Sequence, residues 1–576
     1  MSTRRPIGRL VSALAGACAC LCATACAPAP RPASAADLAA PAAPSAPTPS
    51  AAREGFDPGA LTVAGRSFER RILANGLTAL AIRDPGNHAG QVSVFVVYAV
   101  GKRMEGPATT GIAHLTEHAM YAGTTATPAG QHDARVHALG GESNAYTRQD
   151  VTLYYDARVP TAQLSTVLML EADRMRGLTF EPSAFEHERE RLVAEEAATV
   201  TEGQRRDELL ESLVFRAHPY GAGVLDAAGH TQARALTREQ VRQFYDLWYH
   251  PNHAAVVVAG DVEPGDALLA IQQAFAAIAS GPPSPPTPRE PDDMPGGRAV
   301  VPSPSLTRER VTCAWVGPAL DADEAEQRDR LALELLASAL SNRKRGERRL
   351  LDAGVGGGVD RDLFVLSTTG AGAERELERV LAGARERGID PRELERERHA
   401  ALRAVAKRPL VSDRPYFSLA GTVGAAAALG IEQATSAYEE RVRALTPENV
   451  REAARRWLPQ ERAWVVRFVP TDANAARQPL PSDPRELQRV AEEADASGEL
   501  DRAIDAYQRL LAQQPSKMWT VIYLYELGSL RMRLGDLAGA RRDLERGLAL
   551  VDYPALRELL DDVTELETER GEPPAR

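Results

Sequence analysis

The chain reads as an α+β protein: two domains that each combine strands with helices, followed by a small all-helical segment. Three observations predict this. Strand-like and helix-like runs interleave without a regular βαβ rhythm from about residue 61 to 470. A stretch with seven prolines, SGPPSPPTPREPDDMPGG, divides that region in two. From Pro484 the composition shifts, and Ala491, Gly498 and Ala503 recur as Gly528, Gly535 and Ala540, each 37 residues later.

Residues 1–26 read as an export signal. Arg4, Arg5 and Arg9 supply the positive start, and Leu10 to Ala25 is an apolar run too short to span a bilayer comfortably. Four of the five cysteines lie here: Cys18, Cys20, Cys22 and Cys26. Cys26, between Ala-Thr-Ala and a Pro/Ala-rich stretch, resembles the acylated cysteine of a bacterial lipoprotein, although the leucine usual three residues before it is missing. Cleavage by an ordinary signal peptidase is the alternative. Residues 27–60 are Ala/Pro-rich and read as a tether that would hold a membrane-anchored enzyme off the bilayer. At most Cys26 and Cys313 remain after processing, so neither a disulfide framework nor a thiolate metal site is available. Cys313, in the apolar run VTCAWV, is expected in a core. The chain is 44% hydrophobic and 26% charged, with a net charge of −11 and both signs spread along it. That balance is globular and speaks against a nucleic-acid partner.

Residues 61–280 form the first domain. Leu77–Ile82 and Gln91–Val100 are β-rich. A helix then runs from a Thr109-Thr110 cap towards Gly123 and carries His114-Leu115-Thr116-Glu117-His118, an H-x-x-E-H pattern. At about 100° per residue, His114, Glu117 and His118 share one helix face. Two imidazoles one turn apart can hold one zinc ion, and the carboxylate beside them can take a proton from water. With only 11 histidines in 576 residues, three specified positions are seldom matched by chance. After a Gly140-Gly141 turn and the strand Asp150–Val159 come helices over 160–178, 186–200, 205–215 and 237–248. The helix around FEHERERLVAEEAAT offers Glu195 as a third donor and Glu188, seven residues earlier on the same face, as an outer partner. Glu196 is the rival for the third position. His218, His250 and His253 read as structural or surface residues.

HLTEH, followed 77 residues after His118 by Glu195 in ERERLVAEE, resembles the pitrilysin, insulinase and mitochondrial processing peptidase family. FERRILANGLTALAIRD, GGESNAYTRQDVTLYY and FYDLWYHPNHAAVVVAGDV are similar to further segments of that family. The resemblance spans about residues 67–470. It implies antiparallel sheets backed by helices, and one Zn2+ per chain held by His114, His118 and Glu195, with Glu117 as catalytic base. It also implies that the Asn144-Ala145 segment is a sheet edge that pairs with an extended peptide substrate. The bland alternative there is a turn shaped by Asn144 and Thr147.

Residues 281–298 are the proline-rich linker, expected to hold two domains apart. Residues 299–470 look like a second domain of the same type without H-x-x-E-H. The family's second domain often supplies an Arg and a Tyr to the substrate. Arg348 or Arg349 could fill the first role, but Gly-Val-Gly-Gly-Gly stands where the Tyr is expected. That departure fits a subunit that closes on a partner, and the family's four-domain chamber implies a dimer, with itself or with a non-catalytic relative. Residues 482–570 resemble two tetratricopeptide repeats, whose small residues let helices pack closely. A protein-binding role and a stabilising appendage are both open for this tail. The function expected is that of an exported, lipid-anchored zinc endopeptidase acting on peptides or unfolded segments. The rivals are a non-catalytic family subunit and an envelope adaptor working through its repeats.

Overall fold

The structure, a computed structural model, describes residues 59–570 except 87, 223–230, 286, 289, 292, 343, 346, 347, 350, 413–417, 472–478, 497, 498 and 552. Cys26, the export signal, nearly all of the tether and Gly498 therefore lie outside the described residues. No described helix is long and apolar enough to cross a membrane.

The first sheet has seven strands: β1 (Gly59–Val63), β2 (Arg66–Ile72), β3 (Thr78–Arg83), β4 (Gln91–Tyr98), β5 (Glu142–Thr147), β6 (Thr152–Pro160) and β7 (Ala254–Gly260), in the order β1-β2-β3-β7-β4-β6-β5. The second contains β8 (Gly297–Ser303), β9 (Arg310–Val316), β12 (Asp352–Gly357), β13 (Asp362–Thr369) and β14 (Trp464–Pro470), in the order β12-β13-β9-β14-β8. A two-residue hairpin, β10 (Lys344–Arg345) with β11 (Arg348–Arg349), precedes β12. The sheets are mixed rather than wholly antiparallel: β3 runs parallel to β7, and β8 to β14. The cause is topological. In each domain the last strand returns after a long helical excursion, and only such a crossover can deliver a parallel neighbour.

The first domain carries α1 (Ile112–Ala119), α2 (Gln131–Ala138), α3 (Leu164–Arg176), α4 (Pro182–Thr199), α5 (Glu202–Val214), α6 (Arg238–Trp248) and α7 (Pro264–Phe275). The second carries α8 (Glu324–Asn342), α9 (Ala373–Arg387), α10 (Pro391–Ala406), α11 (Leu419–Leu429), α12 (Glu432–Ser436), α13 (Tyr438–Ala444) and α14 (Pro447–Trp457). Strand β7, AAVVVAG, is buried throughout, as a central strand covered on both faces must be. One face packs on the domain's own helices through Val94, Val96, Val256 and Val258. The other meets a helix of the second domain, because Leu419, Ala420 and Val423 of α11 pack on Leu80, Val97 and Val257. Gly424 permits the approach: a Cβ there would stand 2.9 Å from Val97 and 3.0 Å from Val257. The exchange is reciprocal. Leu210 and Val214 of α5 pack on Ala314, Val365, Val466 and Phe468 of the second sheet.

The proline-rich stretch is thus no spacer between separated domains. Within it, Glu290 is fully buried and accepts the backbone N–H groups of Arg216, Ala217 and His218 at 3.1, 2.7 and 2.8 Å. Cys313 lies in the second core, and burial pushes its thiol up to about 12.

The tail forms α15 (Pro484–Ala496), α16 (Leu500–Ala512), α17 (Lys517–Leu534), α18 (Leu537–Leu550) and α19 (Pro554–Arg570), each packed on the next. Small residues set the helix spacing, since a Cβ on Gly528 would come within 2.6 Å of Leu544 and one on Gly547 within 2.8 Å of Leu556. The tail docks on the peptidase-like part through Glu499, which accepts the Thr307 N–H at 2.9 Å and its hydroxyl at 2.5 Å.

Candidate metal centre

Helix α1 is only eight residues long and unusually polar inside, with Thr116, Glu117 and His118 all buried. Its N-terminus is not capped by Thr109 or Thr110. Gly111 takes the cap position in the left-handed region, φ +86°, which spares a side chain a 2.3 Å collision with the Thr231 hydroxyl. The free amides are met from outside: Glu105 accepts the N–H of Gly111 at 2.9 Å and of Ala113 at 3.0 Å. Burial lifts the Glu105 carboxyl to about 7 despite these bonds. The helix ends at Ala119, with the turn to Gly123 following.

Helix α4 lies against α1 and brings Glu195 to the imidazoles. Glu195 Oε1 is 4.0 Å from His114 Nε2, and its Oε2 is 3.6 Å from His118 Nε2. The three donor atoms fall within 4.8 Å of one another. On the far side of His118, Glu188 Oε2 stands 3.6 Å from Nδ1 and is itself held by Arg191 at 2.8 Å. Glu196 points elsewhere: it is buried and accepts the Thr231 hydroxyl at 2.8 Å. Glu117 accepts the Thr147 hydroxyl at 2.6 Å. Thr147 ends β5, the edge of the first sheet, on which Asn144 and Ala145 also lie. The side chains of Arg348 and Arg349 lie outside the described residues.

The electrostatics suit a cation. Burial, reinforced by His118, drives His114 down to about 3, so its imidazole is neutral. Burial alone would also lower His118, but Glu188 and Glu195 outweigh it and raise the ring to about 9. Burial raises Glu117 above the ordinary carboxylate range. Between two imidazoles and a carboxylate, every facing atom is a lone-pair donor, so a proton or a metal must sit among them. Two nitrogens and one oxygen fit zinc, which takes such donors at about 2.0–2.2 Å in a tetrahedral set with room for one further group. A second cluster, His132, Asp156 and Glu171, is already balanced: His132 bonds both Asp156 oxygens at 3.2 Å, and Arg174 bonds Glu171 at 2.8 Å.

His218, His250 and His253 are held by bonds within the fold. His218 Nε2 bonds Asp360 at 3.1 Å, His250 Nε2 bonds the Asp246 carbonyl at 2.7 Å, and His253 Nδ1 bonds the Trp248 carbonyl at 3.1 Å. Sequence reasoning did not find Glu105, or Thr147 as partner of Glu117. The only available sign for Glu105 was an acid shortly before a helix start.

Residues 79–228 match the family profile described as Insulinase (Peptidase family M16), and residues 235–401 match Peptidase M16 inactive domain. Together these cover more than half of the chain. The zinc protease PqqE of Helicobacter pylori is 30% identical over 289 residues, covering 48% of this chain and 61% of that protein. An uncharacterized zinc protease of Streptomyces coelicolor is 29% identical over 36% of this chain and 45% of its own length. The chain thus spans about half the length of these curated relatives. Among solved structures, the periplasmic protease PqqL from Escherichia coli aligns over 76% of this chain and 51% of its own, with a TM-score of 0.58 at 19% identity. The cofactor is Zn2+, consistent with the relatives' names and with the donor set. By fold, profile and relatives together, the chain belongs to the insulinase family of peptidases, family M16.

Proposed function

We propose that this chain is a zinc-dependent endopeptidase of the bacterial cell envelope that cleaves peptides or unfolded protein segments. The convergence of His114, His118 and Glu195 beside Glu117 carries the reading. Zinc held by the first three would supply Lewis-acid polarisation of the scissile carbonyl and of a water. Glu117 is the proton acceptor. The Thr147 hydroxyl fixes its orientation, and burial brings its basicity closer to neutral pH, where a general base works best. Glu188 orients the His118 ring from Nδ1. Strand β5 is the edge of its sheet next to Glu117, and its Ala145 N–H is held by Asn144 Oδ1 at 2.8 Å, so an extended peptide that displaces this side chain can add as a further strand along Asn144 and Ala145.

Export with acylation at Cys26 would place the enzyme at a membrane surface, and the relative described as periplasmic supports an envelope location. A dimer, with itself or with a related subunit, completes the substrate contacts for which Arg348 and Arg349 are the candidates here. The helical tail, read as tetratricopeptide-like, is the surface for a protein partner.

The test is metal content and peptide turnover of the purified protein beside Glu117→Gln. We expect about one zinc per chain in both, and a loss of turnover of between about 10² and 10⁴-fold in the variant. Zinc without turnover in the parent would redirect the reading to a partner-dependent subunit. Absence of zinc would sink the ligand assignment and favour an adaptor.

A further inference from the structure

The glycine run that stands where the family's tyrosine is expected has its own contacts. The turn from β12 to β13, residues 358–361, reaches across from the second domain to the zinc domain. A Cβ on Gly358 would lie 1.8 Å from the Tyr220 hydroxyl, so only glycine allows this approach. Next to it, the Val359 N–H bonds Asp150 Oδ2 at 3.0 Å, and Tyr220 donates to Asp150 Oδ1 at 2.5 Å. Asp360 accepts from Arg103 Nη1 at 3.0 Å and pairs with His218 Nε2 at 3.1 Å. Arg103 Nε is also 3.5 Å from Asp150. These side chains are largely withdrawn from solvent, with His218 at 0% and Asp150, Asp360 and Arg103 at 10–13%.

What the turn grips is the support of the catalytic carboxylate. Asp150 lies three residues after Thr147, whose hydroxyl holds Glu117. Arg103 lies two residues before Glu105, which holds the amides at the start of α1. The two loops are themselves laced together, by Lys102 N–H to the Arg148 carbonyl at 3.0 Å and Arg103 N–H to the Gln149 carbonyl at 2.8 Å. Gly101 makes this possible, because a Cβ there would stand 2.3 Å from the Arg148 carbonyl. Contacts and short stretches of chain thus link the second domain to Thr147 and to Glu105. We propose that the second domain positions Glu117 for the reaction, with Asp360 and the Val359 N–H acting through Arg103, Asp150 and Thr147. Asp360, Arg103 and Asp150 are positioning residues on this account. None of them reaches the imidazoles, so their effect should fall on turnover rather than on metal or substrate binding.

The proposal rests on the peptidase reading, and the experiment separates the two. The full-length protein, Asp360→Asn, Thr147→Val and the double variant are compared for kcat, KM, bound zinc and amide hydrogen exchange. We expect Asp360→Asn to lower kcat by about 10- to 100-fold, as a misplaced catalytic group does, with KM and zinc unchanged. In the Thr147→Val background the same substitution should cost less than about threefold, because the path it acts through is already cut. Exchange at residues 101–105 and 147–150 should quicken in Asp360→Asn. An equal fall in kcat in both backgrounds, a change confined to KM, or unchanged exchange would each overturn the proposal. If Asp360→Asn fails to fold, Arg103→Lys, which keeps the charge but not the two-pronged geometry, carries the same comparison. If the parent binds zinc but cleaves nothing, the peptidase reading fails, and the exchange arm alone decides whether the coupling exists.

Discussion

The two domains place the same three positions of a helix against a carboxylate, and fill them oppositely. In the first, His114, Glu117 and His118 of α1 stand at i, i+3 and i+4, with Glu195 of α4 facing the imidazoles. In the second, Ser338, Ser341 and Asn342 of α8 have the same spacing, with Glu397 of α10 facing Ser338 and Asn342. Ser338 donates to Glu397 at 2.6 Å and Asn342 at 2.8 Å. The middle positions correspond too. Glu117 takes a hydrogen bond from β5, the edge of its sheet, while Ser341 exchanges bonds with Ala353 on the edge strand β12 at 2.8 and 2.9 Å. The difference lies in who donates. Hydroxyl and amide hydrogens fill one Glu397 oxygen and the Arg396 guanidinium the other, so no metal ion is called for. In the first domain the facing atoms are imidazole nitrogens, of which Glu188 and Glu195 keep the His118 ring protonated, and the cluster exchanges that proton for a metal cation when one enters. One scaffold therefore gives a metal centre or an inert hydrogen-bonded core, by exchange of donors for acceptors.

The sharpest way to break this comparison is to neutralise each carboxylate. Glu195→Gln should reduce zinc affinity by more than about 100-fold, beyond what the loss of an outer partner costs, read by competition against a chelating dye. Glu397→Gln should leave zinc at one per chain. Equal metal loss in both variants would mean that the two helices are not independent. A smaller effect is expected from Glu188→Gln, which removes the carboxylate on His118 Nδ1 but keeps all three proposed donors. Zinc affinity or turnover should fall by about 10- to 100-fold. An unchanged value would demote Glu188 to a surface-type partner of Arg191.

Most of the candidate metal centre is legible in the sequence because its information is local. H-x-x-E-H puts three side chains on one face by helical period alone, whereas the charged helix offers the third donor only in the light of that motif and of the family resemblance. The choice between Glu195 and Glu196 was not legible locally, since one position turns a side chain by about 100° and only the Thr231 hydroxyl shows where Glu196 goes. The strands were readable from β-branched runs such as VSVFVV and AAVVVA. Their order was not, because inserting β7 between β3 and β4 is a long-range choice with no sequence period. The proline-rich stretch was misread for the same reason. Composition shows that it is neither helix nor strand, but not that Glu290 is buried against three amides 72 to 74 residues away. The matching triad of α8 escaped notice because serine and asparagine carry no metal signature, and at a buried helix position they read as ordinary packing.

The smallest predicted effect concerns stability and its sign. Burial raises the Glu397 carboxyl above its ordinary range, and the bonds from Ser338 and Asn342 with the Arg396 charge only partly offset this. A carboxyl whose folded-state pKa lies above its unfolded value favours the folded state while both are protonated. That advantage is lost as pH rises through the folded pKa, so the ionised group costs stability near neutrality. Glu397→Gln keeps an oxygen for Ser338 and Asn342 and removes the buried charge. The variant should therefore gain in urea midpoint at pH 8, and the gain should vanish at pH 4, where the parent is itself protonated. The opposite substitution supplies the control. Ser338→Ala strips a donor from the buried carboxylate and should cost about 1–3 kcal/mol at pH 8, and less at pH 4. If Glu397→Gln instead destabilises at pH 8, the ion pair with Arg396 outweighs desolvation. The second domain would then be holding a charge that it needs, as the first does, and the contrast between the two helices would narrow to the identity of the cation.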